Sequence, residues 1–195
     1  GELYLYDFDN ATGTVSNPQP LLTRQDGGSI YGVEFSGNGR YLYAEVDYMN
    51  ASTTEIFELL RGEIVQYDLT SSNIPISATV IHQDVITPFR GALQLGLDNK
   101  IYHSRFQQNA LSVINNPNDA GLNANYTFNS FPLLQNTTAW YGLPIFVQSF
   151  LLNGEIDAKD HCVGEEQIIS INTAANLVSV NWDFGDPDSG ADNFS

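Results

Sequence analysis

Apolar side chains recur along this chain at every second position, in short runs, and almost nowhere at the three- and four-residue spacing of a helix. Runs rich in Val, Ile, Tyr, Phe and Leu alternate with clusters of Gly, Asn, Asp, Pro and Ser, the pattern of strands separated by turns. Strands are expected at residues 3–8, 31–35, 41–46, 63–68, 77–82, 92–95, 101–104, 111–115 and 145–150. The best helical pattern is TTEIFELLR at residues 53–61, which Thr53 or Thr54 would cap. Asn38-Gly39 and Asp98-Asn99 fall between strands that should pair as hairpins. A two-residue type I′ turn needs positive φ at both central positions, and Asn, Asp and Gly tolerate that best.

A repeat runs through this pattern. GELYLYDFDNATG from Gly1 matches GEIVQYDLTSSNI from Gly62. YGVEFSGNGRYLYAEV from Tyr31 matches RGALQLGLDNKIYHSR from Arg90, which sets Gly32 against Gly91. The offset, about 60 residues, exceeds the roughly 40–50 of a propeller blade. An insertion over residues 48–61 of the first copy accounts for the excess. A shorter third copy starts with ALSVINNPNDAGLN at Ala110 and continues with YGLPIFVQSF at Tyr141.

These residues carry a resemblance. SIYGVEFSGNGRYLYAEV is similar to the strand pair of WD-repeat-like propellers. Together with GALQLGLDNKIYHS, LSVINNPNDAGL and YGLPIFVQSF, it resembles the large secreted surface proteins of the Bacteroidetes. Many of those are type IX secretion cargo or gliding-motility-associated, with a degenerate propeller ahead of PKD domains. The resemblance implies an all-β chain. Residues 1–152 would be the last two to three four-stranded blades of a β-propeller, its ring completed upstream. Residues 153–160 would be a linker, within the polar break LLNGEIDAKD. Residues 161–195 would supply the opening strands of an immunoglobulin-like PKD domain. There Val178, Val180, Trp182 and Phe184 alternate as a half-buried strand should. The string WDFGD resembles the PKD signature, which implies that Trp182 and Phe184 pack inside the sandwich.

Charge narrows the partners. Seven Lys and Arg face 23 Asp and Glu, for a net charge of −16. Nucleic acid and anionic membranes both require clustered basic residues, so both are disfavoured. No run reaches the roughly 18 apolar residues that would span a bilayer, so no membrane insertion is expected. GELYLYDF lacks the basic start and apolar run of a secretory leader, and Gly1 already falls within a strand pattern. The numbering is therefore expected to begin inside a longer protein. Cys162 is the single cysteine, expected to be free or paired outside these residues.

Candidate chemistry is sparse. His82, His103 and His161 have no metalloprotease spacing, and no nucleophile elbow, Walker loop or dinucleotide fingerprint occurs. Asp183, Asp186, Asp188 and Asp192 cluster in a glycine-containing turn. Calcium takes several oxygen ligands from such a loop, so Asp183, Asp186 and Asp188 are the candidate ligands and calcium the one candidate cofactor. The alternative is that Asp186 forms the turn and the others are solvated. Trp140, Tyr141 and Tyr31 begin strands that would ring a propeller mouth, where aromatic faces can stack on sugars. The alternative is that they fill space between blades. The expectation is a non-catalytic, extracellular or cell-surface module for adhesion. Its partners would be other surface proteins, glycans and further domains of its own chain. The rival reading is an accessory region of a secreted protease or polysaccharide-degrading enzyme.

Overall fold

The computed structural model describes residues 1–49, 59–85, 90–144, 155–158 and 169–172. The protein is all-β: among the described residues every regular element is a strand or a short 3-10 turn. The chain divides into two compact units, Gly1–Leu151 and Leu152–Ser195.

The first unit is a succession of meanders. β1 (Leu3–Asp9) and β2 (Thr14–Leu22) form a two-stranded antiparallel sheet. β3 (Gly28–Phe35), β4 (Tyr41–Met49), β5 (Leu59–Asp68) and β6 (Thr79–Asp84) form a four-stranded sheet in sequential order. β7 (Leu93–Leu95), β8 (Ile101–His103), β9 (Ala110–Ile114) and β10 (Tyr126–Pro132) form a second sheet of the same order. In the second unit β11 (Glu155–Ala158) pairs with β12 (Ile169–Asn172). Residues 155–158 of the segment read as a polar break are thus a strand, with Ile156 opposite Ile171. The expected strand at 145–150 lies outside the described residues.

Alternation along β4 explains why the β3–β6 sheet sits between two others. Tyr41 and Tyr43 point to one face and join Ile64, Ile81, Leu93, Leu95, Ile101 and Ile114 in a buried cluster. Leu42, Ala44 and Val46 point to the other and pack with Leu21, Leu22, Val65 and Tyr67, against Leu3 and Leu5 of β1. A strand buried on both faces reads as the nearly unbroken apolar run YLYAEV.

Pairing overrides the helix expected at 53–61. Tyr48 and Met49 continue β4, and they pair with Arg61 and Leu59 of β5. The ends of the segment read as an insertion therefore lengthen a hairpin. Residues 53–58 lie outside the described ones. The turns also differ from expectation. Of the four turn residues singled out, only Gly39 (φ 69°) and Asn99 (φ 58°) are left-handed. The first loop closes from Ser36 N–H to the Tyr41 carbonyl and the second from Gly96 N–H to the Lys100 carbonyl, both at 2.8 Å. Loops longer than two residues need one left-handed position, not two.

Their unequal length shifts the repeat. Gly39 N–H donates to the Ser36 carbonyl, and Asn99 N–H to that of Gly96, so Ser36 corresponds to Gly96. Counting back, Val33 corresponds to Leu93, Phe35 to Leu95, and Gly32 to Ala92 rather than to Gly91. The second strands keep the sequence alignment: Leu42 opposes Phe35 as Ile101 opposes Leu95. The repeat is one of strand order and pairing, with its first strands one residue out of the sequence match.

Candidate functional site

The first strands of successive copies lie side by side. The Glu34 carboxylate accepts a hydrogen bond from Leu95 N–H at 2.9 Å, so β3 is tied to β7. Gln94, the counterpart of Glu34, donates to the Pro144 carbonyl at 2.7 Å. Ala92 N–H donates to the Tyr141 carbonyl at 2.7 Å. The third copy, read from Tyr141, thus abuts β7 much as β7 abuts β3. The approach is close: a Cβ on Gly32 would lie 2.5 Å from the Gly91 carbonyl oxygen.

This seam gathers aromatic side chains. Tyr31 and Tyr141 meet with ring centroids 5.7 Å apart. Tyr141 stacks on Phe106 at 4.6 Å and 8° between planes. Phe106 in turn meets Trp140 edge-on at 5.0 Å. The three aromatics singled out from the sequence therefore form one continuous strip. Trp140 is 62% exposed, Tyr31 48% and Tyr141 36%, so the strip faces solvent.

Two members were missed in the sequence. Phe106 follows the second strand of its copy, where nothing in the repeat marks it. Arg90 stands opposite Tyr31 in the sequence alignment, the one signal that pointed to it. Its guanidinium lies 5.9 Å from the Tyr31 ring centroid. Its Nε donates to the Asp47 carboxylate at 2.8 Å and its Nη2 to Ser29 Oγ at 3.3 Å. Asp47 is buried, and so is Glu45, two residues away on the same face of β4. Burial, then the charge of Asp47, pushes the Glu45 carboxyl far above its ordinary range. Arg90 thus links a buried acid pair to the exposed strip.

Comparison with protein families, curated proteins and solved structures finds no match.

A second polar group lies between the two four-stranded sheets. His82 of β6 stacks on Tyr126 of β10 at 4.2 Å. The Tyr126 hydroxyl lies 2.9 Å from His103 Nδ1. Arg105 sits over the Phe128 ring at 4.2 Å. Burial holds the His82 imidazole below its ordinary range, with Asp84 opposing and Arg105 reinforcing the shift. Burial likewise lowers Arg105 and raises Tyr126. His103 and Arg105 of this cluster are fully buried, and the cluster belongs to the packing of the sheets.

Asp183, Asp186 and Asp188, the candidate calcium ligands, lie outside the described residues, as do Cys162, His161 and Trp182. Among the described residues, no group of three or more His, Cys, Asp and Glu side chains converges as a metal cage. No helix among them is long and apolar enough to cross a membrane.

Proposed function

We propose that the chain is a non-catalytic, extracellular or cell-surface recognition module. Residues 1–152 are consecutive blades of a β-propeller, and the C-terminal residues open a PKD-type spacer domain. Two successive four-stranded meanders with adjoining first strands support the propeller reading. The WDFGD string supports the spacer reading.

The observation that carries the function is the exposed strip Trp140–Phe106–Tyr141–Tyr31, built where three copies of the repeat meet. Aromatic faces stack on the apolar faces of sugar rings and on extended peptide. With a net charge of −16 the protein repels polyanions, so neutral glycans are the ligand class that fits best. Adhesion to such glycans on a neighbouring surface is the resulting role.

Isothermal titration against a panel of neutral oligosaccharides tests it, with Trp140→Ala and Tyr141→Ala as paired variants. An exposed Trp140 contributes little to folding, so Trp140→Ala should move stability by no more than about 0.5 kcal/mol. It should weaken glycan binding at least about ten-fold. Binding that survives both substitutions would place recognition elsewhere.

A further inference from the structure

Two crevices separate the successive sheets of the first unit, and one position sets them apart. Tyr102 follows Ile101 as Tyr43 follows Leu42, so the two tyrosines hold corresponding places. Val113 pairs with Tyr102 and Gln66 with Tyr43, so these two correspond as well. Thr127 faces Val113 and Thr79 faces Gln66. One residue earlier on each strand, Tyr126 of the second sheet therefore corresponds to Ala78 of the first. Tyr126 fills its crevice: its ring stacks on His82 at 4.2 Å and packs against the cluster that holds Tyr41 and Tyr43. The counterpart of His82 is Leu22. β1 repeats β5 in sequence, and Leu3 pairs with Leu22 where Ile64 pairs with His82.

Where the second crevice holds a tyrosine ring, the first holds a cavity. Its volume is about 500 Å³, within the roughly 300–1,000 Å³ of ligand pockets, and Ala78 and Leu22 both line it. Asp26, Glu63, Tyr48 and Tyr67 supply its polar atoms, and no Lys, Arg or His lines it. Glu63 already has a partner: Arg61 Nε donates to it at 2.7 Å, and the same guanidinium lies 3.8 Å from the Tyr48 ring centroid. The wall thus already holds one cation over an aromatic face. Among the described residues the Asp26 carboxylate accepts hydrogen bonds from Thr23 alone, from its N–H at 2.7 Å and its hydroxyl at 2.9 Å. Those bonds hold the Asp26 carboxyl below its ordinary range, so it is charged at neutral pH. Burial, then Tyr48 and Asp26, raises the Tyr67 phenol to about 12, so its hydroxyl keeps its proton to donate.

We infer that this cavity binds a small aromatic amine, a ring the size of a tyrosine side chain that carries a protonated amino group. The ring lies against Ala78 and Leu22, as Tyr126 lies against His82 in the other crevice. The ammonium faces Asp26, the carboxylate that no cation of the chain neutralises among the described residues. An anionic ring of the same size is repelled by Asp26 and Glu63 and by the net charge of −16. An alkyl amine without a ring leaves the space beside Ala78 unfilled. The site shares no residue with the aromatic strip, so glycan binding and amine binding stand or fall separately.

Methyl-resolved NMR of the 195-residue protein, titrated with tyramine, tests this. The methyl signals of Ala78, Leu22 and Val65, which all line the cavity, should shift and saturate below about 10 mM. Hydroxyphenylpropionate, with the same ring and the opposite charge, should bind at least about ten-fold more weakly. Ala78→Tyr supplies the ring that Tyr126 supplies in the other crevice, and it should abolish the shifts at Leu22 and Val65. Asp26→Asn should weaken tyramine about three- to five-fold, the scale of an exposed charge pair. Absent methyl shifts at about 10 mM, equal binding of the anionic ring, or unchanged tyramine binding in a folded Ala78→Tyr protein each overturns the inference. If Ala78→Tyr does not fold, Asp26→Asn decides, and unchanged affinity overturns it. Trp140→Ala should leave the titration as it is; loss of tyramine binding there would move the amine to the strip and also overturn it.

Discussion

Tyr43 and Gln66 offer the sharpest test of how the two four-stranded sheets are joined. Tyr43 is fully buried on β4. Its hydroxyl donates to the Pro117 carbonyl at 2.8 Å and accepts from Gln66 Nε2 at 2.6 Å. The same amide nitrogen donates to the Asp119 carbonyl at 2.7 Å, and Gln66 Oε1 accepts Gly121 N–H at 2.7 Å. Two side chains of the β3–β6 sheet therefore hold the 117–121 loop, which joins β9 to β10. Tyr43→Phe deletes two of these bonds; at about 0.5–1.5 kcal/mol net each, the loss is about 1–3 kcal/mol. Gln66→Leu deletes three and strands the loop groups it bound, for about 2–4 kcal/mol. The Tyr43–Gln66 bond is lost in both single variants, so the double variant should fall about 1 kcal/mol short of their sum. Each kcal/mol moves the unfolding midpoint of a domain this size by roughly 2–4 °C. Denaturant titration of the four proteins, with thermal melts alongside, supplies the cycle. Strict additivity, or a Tyr43→Phe protein as stable as the parent, would refute the claim that this pair joins the sheets.

Three further outcomes follow from buried groups and close approaches. Glu45 has its folded pKa raised above the ordinary 4.5, so its contribution is fully present below that value and is lost as pH rises. Glu45→Gln, which does not titrate, should be more stable than the parent at alkaline pH, with an advantage that shrinks toward about pH 4.5; parallel pH profiles from denaturant unfolding would disprove this. His82 has its folded pKa lowered below 6.5, so the folded state loses stability as pH falls through and below that value. His82→Phe keeps a ring against Tyr126 and should flatten the acid limb of the melting curve. Gly32→Ala would place a Cβ 2.5 Å from the Gly91 carbonyl and should cost about 1–3 kcal/mol by overpacking the seam. Gly142→Ala, with nothing within 4 Å of its Cβ, is the matched control, and equal losses in the two would contradict the seam geometry.

The sequence reveals those elements whose local chemistry and packing agree. β4 is legible because strand alternation and burial on both faces both favour YLYAEV. β2 is hidden because Pro18 and Pro20 demote a strand pattern, yet prolines are tolerated at the edge where β2 lies. β10 is hidden too, broken by Asn129 at φ 44° and ending in Pro132. The helix expected at 53–61 rests on leucine and glutamate propensity, which cross-strand pairing with Tyr48 and Met49 outweighs over residues 59–61. Tyr31, Trp140 and Tyr141 can be named as expected strand starts, although Tyr31 lies inside β3 and Trp140 and Tyr141 lie in no strand. Phe106 cannot, because it reaches the strip through a turn after β8 that no periodicity describes. Glu34 and Gln94 occupy corresponding places in the copies, yet nothing in their identities announces that each reaches the next first strand.

Sequential strand order has a consequence for assembly. Each four-stranded sheet is drawn from one unbroken stretch of chain, residues 28–84 and then 93–132. Every ladder within it closes a hairpin, so the entropy of long loops is not spent before pairing begins. The distant contacts are face-to-face ones, such as Ile64 and Ile81 against Ile101 and Ile114. A ribosome making about 5–20 residues per second would therefore release one finished sheet while the next is still being made. Each new sheet meets an apolar face already formed, and maturation proceeds from the N-terminus like courses of brick laid on the course below.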